Sequence, residues 1–236
     1  ATAPVPNFTS AAFSTTATNT FSNGSISLAE SDNTIDLGAG NDVAVLGSGV
    51  NSNDTIVFTG YNLGKNTIVN FDDRGASTGR DLLDFNAYLN GKSSASGSVE
   101  SQREIDITLN ADANVEANTV TVLNGVFTTT DTFAGLTAEK LLAAVNSTNT
   151  GATNYAGITA STLDAVTTYT ANTLVGGVGK AVVLVQNNGN EGEYLAFELS
   201  FNATATNTTK DFTAAQLIGT VDFGNTVTFA QNLLVA

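Results

Sequence analysis

The sequence predicts an all-β fold, built from stacked strands in a β-roll-like or β-sandwich-like body with one or two short helices inserted in the C-terminal half. Short β-branched segments recur along the chain, and Gly, Asn and Asp cluster between them. Longer stretches of alternating apolar and polar residues follow toward the C-terminus. At 236 residues, the chain is long enough to bury a core of its own.

Between residues 32 and 71 the chain repeats one pattern four times. Each unit begins with Asp or Asn and continues as a short β-branched strand, and the first two units close on Gly-x-Gly. The units start at Asn33, Asp42, Asp54 and Asn66, so the first step is 9 residues and the next two are 12. A repeat of this kind stacks its strands in parallel and brings carboxylates and turn carbonyls together at the corners.

Composition divides the chain into three regions. Residues 1–31 are rich in Thr, Ser, Asn and Ala and are predicted to be a strand-like arm that can pair at a sheet edge. Residues 32–95 are predicted to form a β-roll-like, calcium-binding region, and residues 96–236 a β-rich region with a helical insert. The Gly-bearing stretch from Gly91 to Gly97 is the candidate boundary between the second and third regions.

The first half of the C-terminal region predicts two strands and two helices. Alternation at 105–109 and 119–123, followed by Asn124-Gly125, indicates strands with a hairpin turn. Thr137 is placed to cap a helix over 138–145, and a second short helix is predicted over 160–166.

The second half of the region is again β. Strands are predicted at 181–186, 194–201 and 219–223, with one turn of helix over 214–217. The loop over 187–193 holds several Asn and Glu side chains around two Gly, and we interpret it as a hairpin turn in preference to a calcium loop.

Charge and missing residue types exclude several classes of function. With 22 acidic and 8 basic residues the net charge is −14, which repels nucleic acid and attracts divalent cations. The chain has no Cys, His or Met, so thiolate and imidazole metal sites, His-dependent triads and Cys nucleophiles are absent, and any metal must be held by oxygen. No apolar run reaches the ~20 residues of a membrane helix, so no membrane insertion is expected.

These absences also argue against an enzyme, and no catalytic activity is expected. A hydrolase that uses carboxylates alone is the remaining catalytic alternative, but the chain has no Trp to stack a sugar.

The corners of the repeat are the candidate calcium sites. Gly38 and Gly40 can adopt backbone conformations that aim carbonyl oxygens inward, and Asp36 and Asp42 lie beside them in sequence. These residue types match the oxygen ligands that Ca²⁺ prefers. The alternative is that Gly, Asn and Asp are simply the ordinary residues of turns between short strands.

Two segments within residues 32–90 resemble a known group of secreted proteins. Residues 38–45, Gly-Ala-Gly-Asn-Asp-Val-Ala-Val, look like one nonapeptide of the RTX calcium-binding β-roll, and residues 66–71 with 81–85 are similar to the strand-loop-strand that closes such rolls. The second unit, 47–54, departs from the pattern by carrying extra residues before its Asp. The resemblance implies Ca²⁺ as the bound ion and the following ligands: Asp42, Asp54, Asp72, Asp73, Asp81 and Asp84.

The C-terminal stretch resembles the ends of bacterial surface-layer proteins and other type I secreted proteins. The strands over 182–201, the Val221-Asp222-Phe223 segment and the apolar residues 233–236 carry this likeness. It implies an uncleaved export signal and an extracellular or cell-surface location.

The function expected from these observations is a structural, self-assembling extracellular protein stabilised by calcium, such as a surface-layer or biofilm-matrix filament subunit. Its expected partners are further copies of itself, as an oligomer or polymer, with a cell-surface polysaccharide as a second candidate. The alternative is an adhesin or ligand-binding module, or the C-terminal secretion fragment of a larger RTX protein.

Overall fold

The chain folds into strands that lie in two main sheets, with one short α-helix and two short 3₁₀ turns among the described residues. The structure is a computed structural model. It describes residues 19–20, 25–27, 32–47, 52–72, 81–89, 104–107, 114–115, 120–125, 132–146, 164–165, 178–187, 189–202, 212–225, 227 and 233–234. The all-β prediction is confirmed.

The first seven strands form a coil whose consecutive strands alternate between the two sheets. Their bounds are β1 Asn19–Thr20, β2 Ser25–Ser27, β3 Thr34–Asp36, β4 Val43–Val45, β5 Thr55–Val57, β6 Lys65–Val69 and β7 Leu82–Asp84. The odd-numbered strands pair in parallel in a five-stranded sheet, and the even-numbered strands pair in parallel in an eight-stranded sheet. The predicted parallel stacking of the repeat is therefore confirmed.

The middle residues of β3, β4, β5 and β7, and Ile68 of β6, face the interior between the sheets. Ile35, Ile56 and Leu83 lie side by side in the register of β3, β5 and β7, and each is at most 1% exposed. Ala44 and Ile68 form the corresponding pair in the other sheet. This follows from the period of two in a strand, since the central side chain points opposite to both of its neighbours.

The corners absorb the uneven spacing of the repeat. Thr34 lies beside Thr55 and Thr55 beside Leu82, so one full coil takes 21 residues and the next takes 27. The strands stay in register because the additional residues lie in the corners that connect consecutive strands. A one-residue slip would turn the buried residues to the opposite face.

The remaining elements follow the coil in the chain. The strands are β8 Glu104–Ile107, β9 Asn114–Val115, β10 Val120–Gly125, β11 Asp164–Ala165, β12 Val178–Asn187, β13 Glu193–Asn202, β14 Phe212–Asp222 and β15 Leu233–Leu234. The helix α1 covers Ala138–Asn146, and 3₁₀ turns lie at Asn86–Tyr88 and Phe133–Gly135. Strands β9 and β11 form a separate two-stranded sheet.

The eight-stranded sheet joins the coil to the C-terminal strands, in the order β2-β4-β6-β14-β13-β12-β10-β8. Strand β14 pairs in parallel with β6 and antiparallel with β13, while β12 and β13 form a long hairpin. The five-stranded sheet ends with β15 beside β7. One buried cluster accordingly contains Ile56 of the coil and Leu184 of the hairpin.

An ion cluster crosses the β6–β14–β13 junction. The Nζ of Lys65 lies 2.6 Å from Glu193 Oε1 and 2.8 Å from Asp222 Oδ2. Asn187 and Asn190 donate their side-chain N–H groups to the other oxygen of Glu193, at 2.7 and 3.2 Å. The cluster ties the last described strand of the coil in this sheet to the turn of the β12–β13 hairpin.

Several of the predicted C-terminal elements are confirmed, including the strands over 181–186 and 194–201, which lie within β12 and β13. The helix over 138–145 is α1, and the Thr137 hydroxyl accepts a hydrogen bond from Lys140 N at 3.3 Å as its cap. The loop over 187–193 is the predicted hairpin turn, with Gly189 N donating to Asn187 Oδ1 at 3.0 Å.

Three local predictions are wrong. Residues 214–217 lie within β14, because pairing with β13 holds the backbone extended. Asn124 and Gly125 lie within β10, which pairs in parallel with β8 and β12 and forms no hairpin turn at these residues. Asp164 and Ala165 form β11 instead of a helix, paired with β9, and the rest of 160–166 lies outside the described residues.

Candidate functional site

Polar side chains stack in a column at one corner of the coil. Asn33, Asp54 and Asp81 occupy equivalent positions, directly before β3, β5 and β7. Asp54 Oδ1 accepts hydrogen bonds from Asn33 N at 3.0 Å and Asn33 Nδ2 at 2.7 Å. Asp81 Oδ1 in turn accepts one from Asp54 N at 2.9 Å. Each carboxylate thus binds the backbone of the preceding coil.

The second oxygen of each carboxylate is also hydrogen-bonded. Asp54 Oδ2 accepts from Gly47 N at 3.2 Å and from the Ser52 hydroxyl at 3.3 Å. Asp81 Oδ2 accepts from Asp72 N at 2.8 Å, while Asp81 N donates to Asp72 O at 3.1 Å. Asp54 and Asp81 are fully buried, so these bonds offset much of the cost of removing two carboxyl groups from water.

A matching column stands at the opposite corner. Asn66 Oδ1 accepts a hydrogen bond from Asp42 N at 3.2 Å, and the backbone continues the contact through Thr67 N to Asp42 O at 2.8 Å. One residue earlier in the chain, Asn41 Oδ1 accepts from Lys65 N at 2.8 Å. The repeated Asp and Asn residues therefore form inter-coil hydrogen bonds at both corners.

Burial and like charge raise the pKa values of the carboxyls in the first column. Burial raises the pKa of Asp54 above its ordinary value of 3.8 despite its hydrogen bonds. Burial, with the neighbouring negative charges of Asp54 and Asp72 adding to it, raises the pKa of Asp81 to about 7. The Asp81 carboxyl thus resists ionisation beside Asp54 and Asp72.

The other predicted ligands lie apart from these three carboxyls. Asp36 accepts from Gly38 N at 2.9 Å and from the Thr59 hydroxyl, and Asp84 accepts from Asn86 N at 2.8 Å. Asp36 and Asp84 share a sheet but are separated by β5, where Val57 lies between them. Burial raises the pKa of Asp84.

The corner glycines adopt the conformations that the sequence predicts. Gly38 and Gly40 have φ angles of 71° and 135°, in the region that favours glycine. Gly40 N donates to Leu63 O of the next coil at 3.0 Å, which places this corner against the one that follows it.

The types of donor atom in the chain suit calcium, whereas the placement of the described acidic side chains supports a calcium site less well. The chain offers only oxygen ligands, and a carboxylate has about four lone-pair sites, so Asp54 and Asp81 could accept a cation beside their N–H donors. Among the described residues, however, no three acidic side chains converge as metal ligands. Asp73 lies outside the described residues, as do residues 48–51 and 74–80 of the adjoining corners.

Two features of the polar residues are not among those predicted from the sequence. The side chains of Asn33 and Asn66 belong to the two columns. Their position at the start of a repeat unit is the sequence feature that could have predicted this role. A buried Glu198 in β13 accepts from Tyr61 Oη at 2.8 Å and pairs with Lys180 Nζ at 2.9 Å. In the sequence, Glu198 is a lone acidic residue between Phe197 and Leu199, and this position is the feature that could have predicted its role. Burial and the contact with Glu198 raise the pKa of Tyr61 to about 12.

In the part of the chain that the structure describes, the helices are too short or too polar to span a bilayer. Comparison of the whole chain with protein-family models, with curated proteins and with solved structures gives no significant match.

Proposed function

We propose that the protein is a structural, self-assembling extracellular protein, a subunit of a surface layer or of a matrix filament. The observation that carries this proposal is the end of the coil. Both sheets begin there with an outer strand, β1 or β2, and both strands lie in a sequence without a charged residue. Sheet edges that lack charge are templates for pairing with another chain, and proteins commonly protect them with Lys or other charges.

The composition supports the extracellular and structural parts of the proposal. Charged residues make up 13% of the chain, against roughly 25% in typical soluble domains. The hydrogen bonds between successive coils at the corners stiffen the coil. A rigid body with uncharged edges suits a structural role.

Sedimentation velocity over a concentration series tests self-assembly, with negative-stain microscopy of the same samples. We expect the sedimentation coefficient to rise with concentration and ordered sheets or fibres to appear. A protein that stays monomeric at every concentration, with and without calcium, would contradict this proposal and favour the alternative of an adhesin or ligand-binding module.

We further propose that Ca²⁺ stabilises the corner formed by Asp54, Asp72 and Asp81. The negative charges of Asp54 and Asp72 help to raise the pKa of Asp81. This corner therefore holds a local excess of negative charge, which a divalent cation would neutralise. Further oxygens would come from Asp73 and from backbone carbonyls of the same corner.

Thermal unfolding with Ca²⁺ and with chelator tests the ion. We expect Ca²⁺ to raise the melting temperature, and Asp72→Asn to remove most of that increase. Glu139→Gln, which changes an exposed carboxylate in the first turn of α1, is the matched control and should keep the increase. An unchanged melting temperature of the natural sequence in millimolar Ca²⁺ would rule out the calcium part.

A further inference from the structure

We propose that two copies of this chain join through β1 and β2, at the N-terminal end of the coil, about a two-fold axis. This inference rests on the proposed self-assembly and names its surface, its partner and its symmetry.

The end of the coil presents two strand edges side by side. Among the described strands, β1 has a partner only in β3, and β2 has a partner only in β4. Packed sheets lie about 10 Å apart, so the two edges border one compact end of the molecule. At the other end of the coil the eight-stranded sheet continues past β6 into β14, β13 and β12. Among the described strands, the β1–β2 end is therefore the one that offers both sheets to a neighbour at once.

This end is complementary to itself. A two-fold axis perpendicular to both sheets reverses the direction of every strand and leaves each sheet in its own layer. It therefore places β1 antiparallel to β1 of the second copy, and β2 antiparallel to β2 of the second copy. Antiparallel pairs are slightly more stable per residue than parallel ones, and an isologous contact closes as a dimer, so that growth into a sheet or fibre requires a second contact between such dimers.

Charge selects this end for contact between copies. A chain with a net charge of −14 repels itself over most of its surface, but residues 1–29 contain no charged residue and form its longest uncharged stretch. Both β1 and β2 lie within that stretch. At the far edge of the eight-stranded sheet, β8 has Glu104 and Asp106 among its four residues, so self-pairing there would bring four carboxylates together.

A charge placed in the edge tests the contact. In the proposed dimer the axis passes beside Ile26, the central residue of β2, so Ile26→Lys would bring two like charges together there. We expect the dimer dissociation constant to rise by about tenfold or more in sedimentation equilibrium. Ala143→Lys adds the same charge to an exposed position of α1 and should leave the dissociation constant unchanged.

A cysteine cross-link tests the geometry independently, because the chain has no Cys of its own. Opposed residues of an antiparallel pair have Cα atoms about 4.5–5.5 Å apart, within the range that a disulfide spans. Under mild oxidation, Ile26→Cys should therefore give a covalent dimer, and Ala143→Cys should remain monomeric under denaturing conditions.

The outcomes separate this inference from the function on which it rests. If the natural sequence assembles but Ile26→Lys assembles equally well and Ile26→Cys gives no covalent dimer, the contact lies elsewhere and the inference is wrong, while self-assembly stands. If the natural sequence never assembles, both are wrong. Should Ile26→Lys fail to fold, as shown by circular dichroism, the cross-link alone decides.

Discussion

At the scale of single residues, Asp81 shows how the repeat uses its acidic side chains. Its two oxygens accept N–H groups from Asp54 and Asp72, so one buried side chain connects β7 to the preceding coil and to the corner that leads into it. Asn serves in place of Asp at position 66 because its amide oxygen accepts the backbone N–H of Asp42, whereas at position 33 the amide donates an N–H to Asp54 Oδ1.

The raised pKa of Asp81 predicts how stability depends on pH. The folded value is about 7 and the unfolded value about 3.8, so between these values the folded state binds more protons than the unfolded state. In chelator, the free energy of unfolding should therefore fall as pH rises from about 4 to 7, at up to about 1.4 kcal/mol per pH unit. Urea denaturation across that range measures it, and stability that rises with pH would contradict the prediction.

Gly64 is the residue for which the corner geometry is most restrictive. Its φ is +84°, and a Cβ at this position would lie 2.2 Å from the backbone oxygen of Gly40 in the preceding coil. Gly64→Ala should lower the free energy of unfolding by more than about 2 kcal/mol, since it adds strain and a clash with backbone. Gly224→Ala is the control in urea denaturation: its φ is also positive, at +69°, but its Cβ would meet no atom within 4 Å, so it should cost less.

At the scale of elements, the junction between the coil and the hairpin depends on Lys65. Burial would raise the pKa of Glu193 and of Asp222, but the hydrogen bonds and positive charge of Lys65, together with hydrogen bonds from neighbouring amide and backbone N–H groups, outweigh it and lower both pKa values. The hydrogen bonds from Asp222 and Glu193 raise the pKa of Lys65 itself. Lys65 is about half exposed, so solvent screens these pairs and their contribution to stability is modest.

Replacing Lys65 should make the junction less sensitive to acid. The lowered pKa values mean that both carboxylates stabilise the fold above their unfolded values of about 4 and lose that contribution as pH falls through the folded values. Lys65→Met should cost about 1 kcal/mol at pH 7 and less at pH 3. Lys140→Met, on the exposed surface of α1, is the control in urea denaturation, and an equal cost at both pH values would contradict the prediction.

At the scale of the whole molecule, the parallel coil and the antiparallel hairpin share one core. Strand β14 lies between β6 and β13, and the buried cluster runs from the coil into β10 and β12. Elements that share a sheet and a core unfold together when neither can keep its buried surface without the other.

We therefore expect a single cooperative unfolding transition. Ile56→Ala in the coil and Leu184→Ala in the hairpin should each lower the free energy of unfolding by about 2–5 kcal/mol and shift that same transition. Differential scanning calorimetry measures this. Two transitions, each shifted by only one of the variants, would show that the coil and the hairpin are independent.

Local sequence patterns are enough to predict the class of the fold and the units of the coil. The central Ile, Ala and Leu residues of the repeat, with polar corners between them, predict stacked parallel strands, because the period of a strand and the turn residues are local properties. Local patterns also locate α1 with its Thr137 cap and the hairpin turn over 187–193. The lack of Cys, His and Met restricts any metal site to oxygen ligands, since composition alone sets which donor atoms the chain can offer.

The partners of the strands and of the carboxylates, by contrast, are fixed by tertiary contacts. Residues 214–217 and Asn124-Gly125 carry local signals for a helix and a turn, but pairing with β13 and with β12, respectively, keeps them extended. The acidic residues of the repeat look alike in sequence, yet the Asp81 carboxylate accepts hydrogen bonds from the backbone of Asp54 and of Asp72, while Asp36 and Asp84 are separated by a strand. These outcomes depend on contacts between residues distant in the chain, whose register is set by how the coils stack.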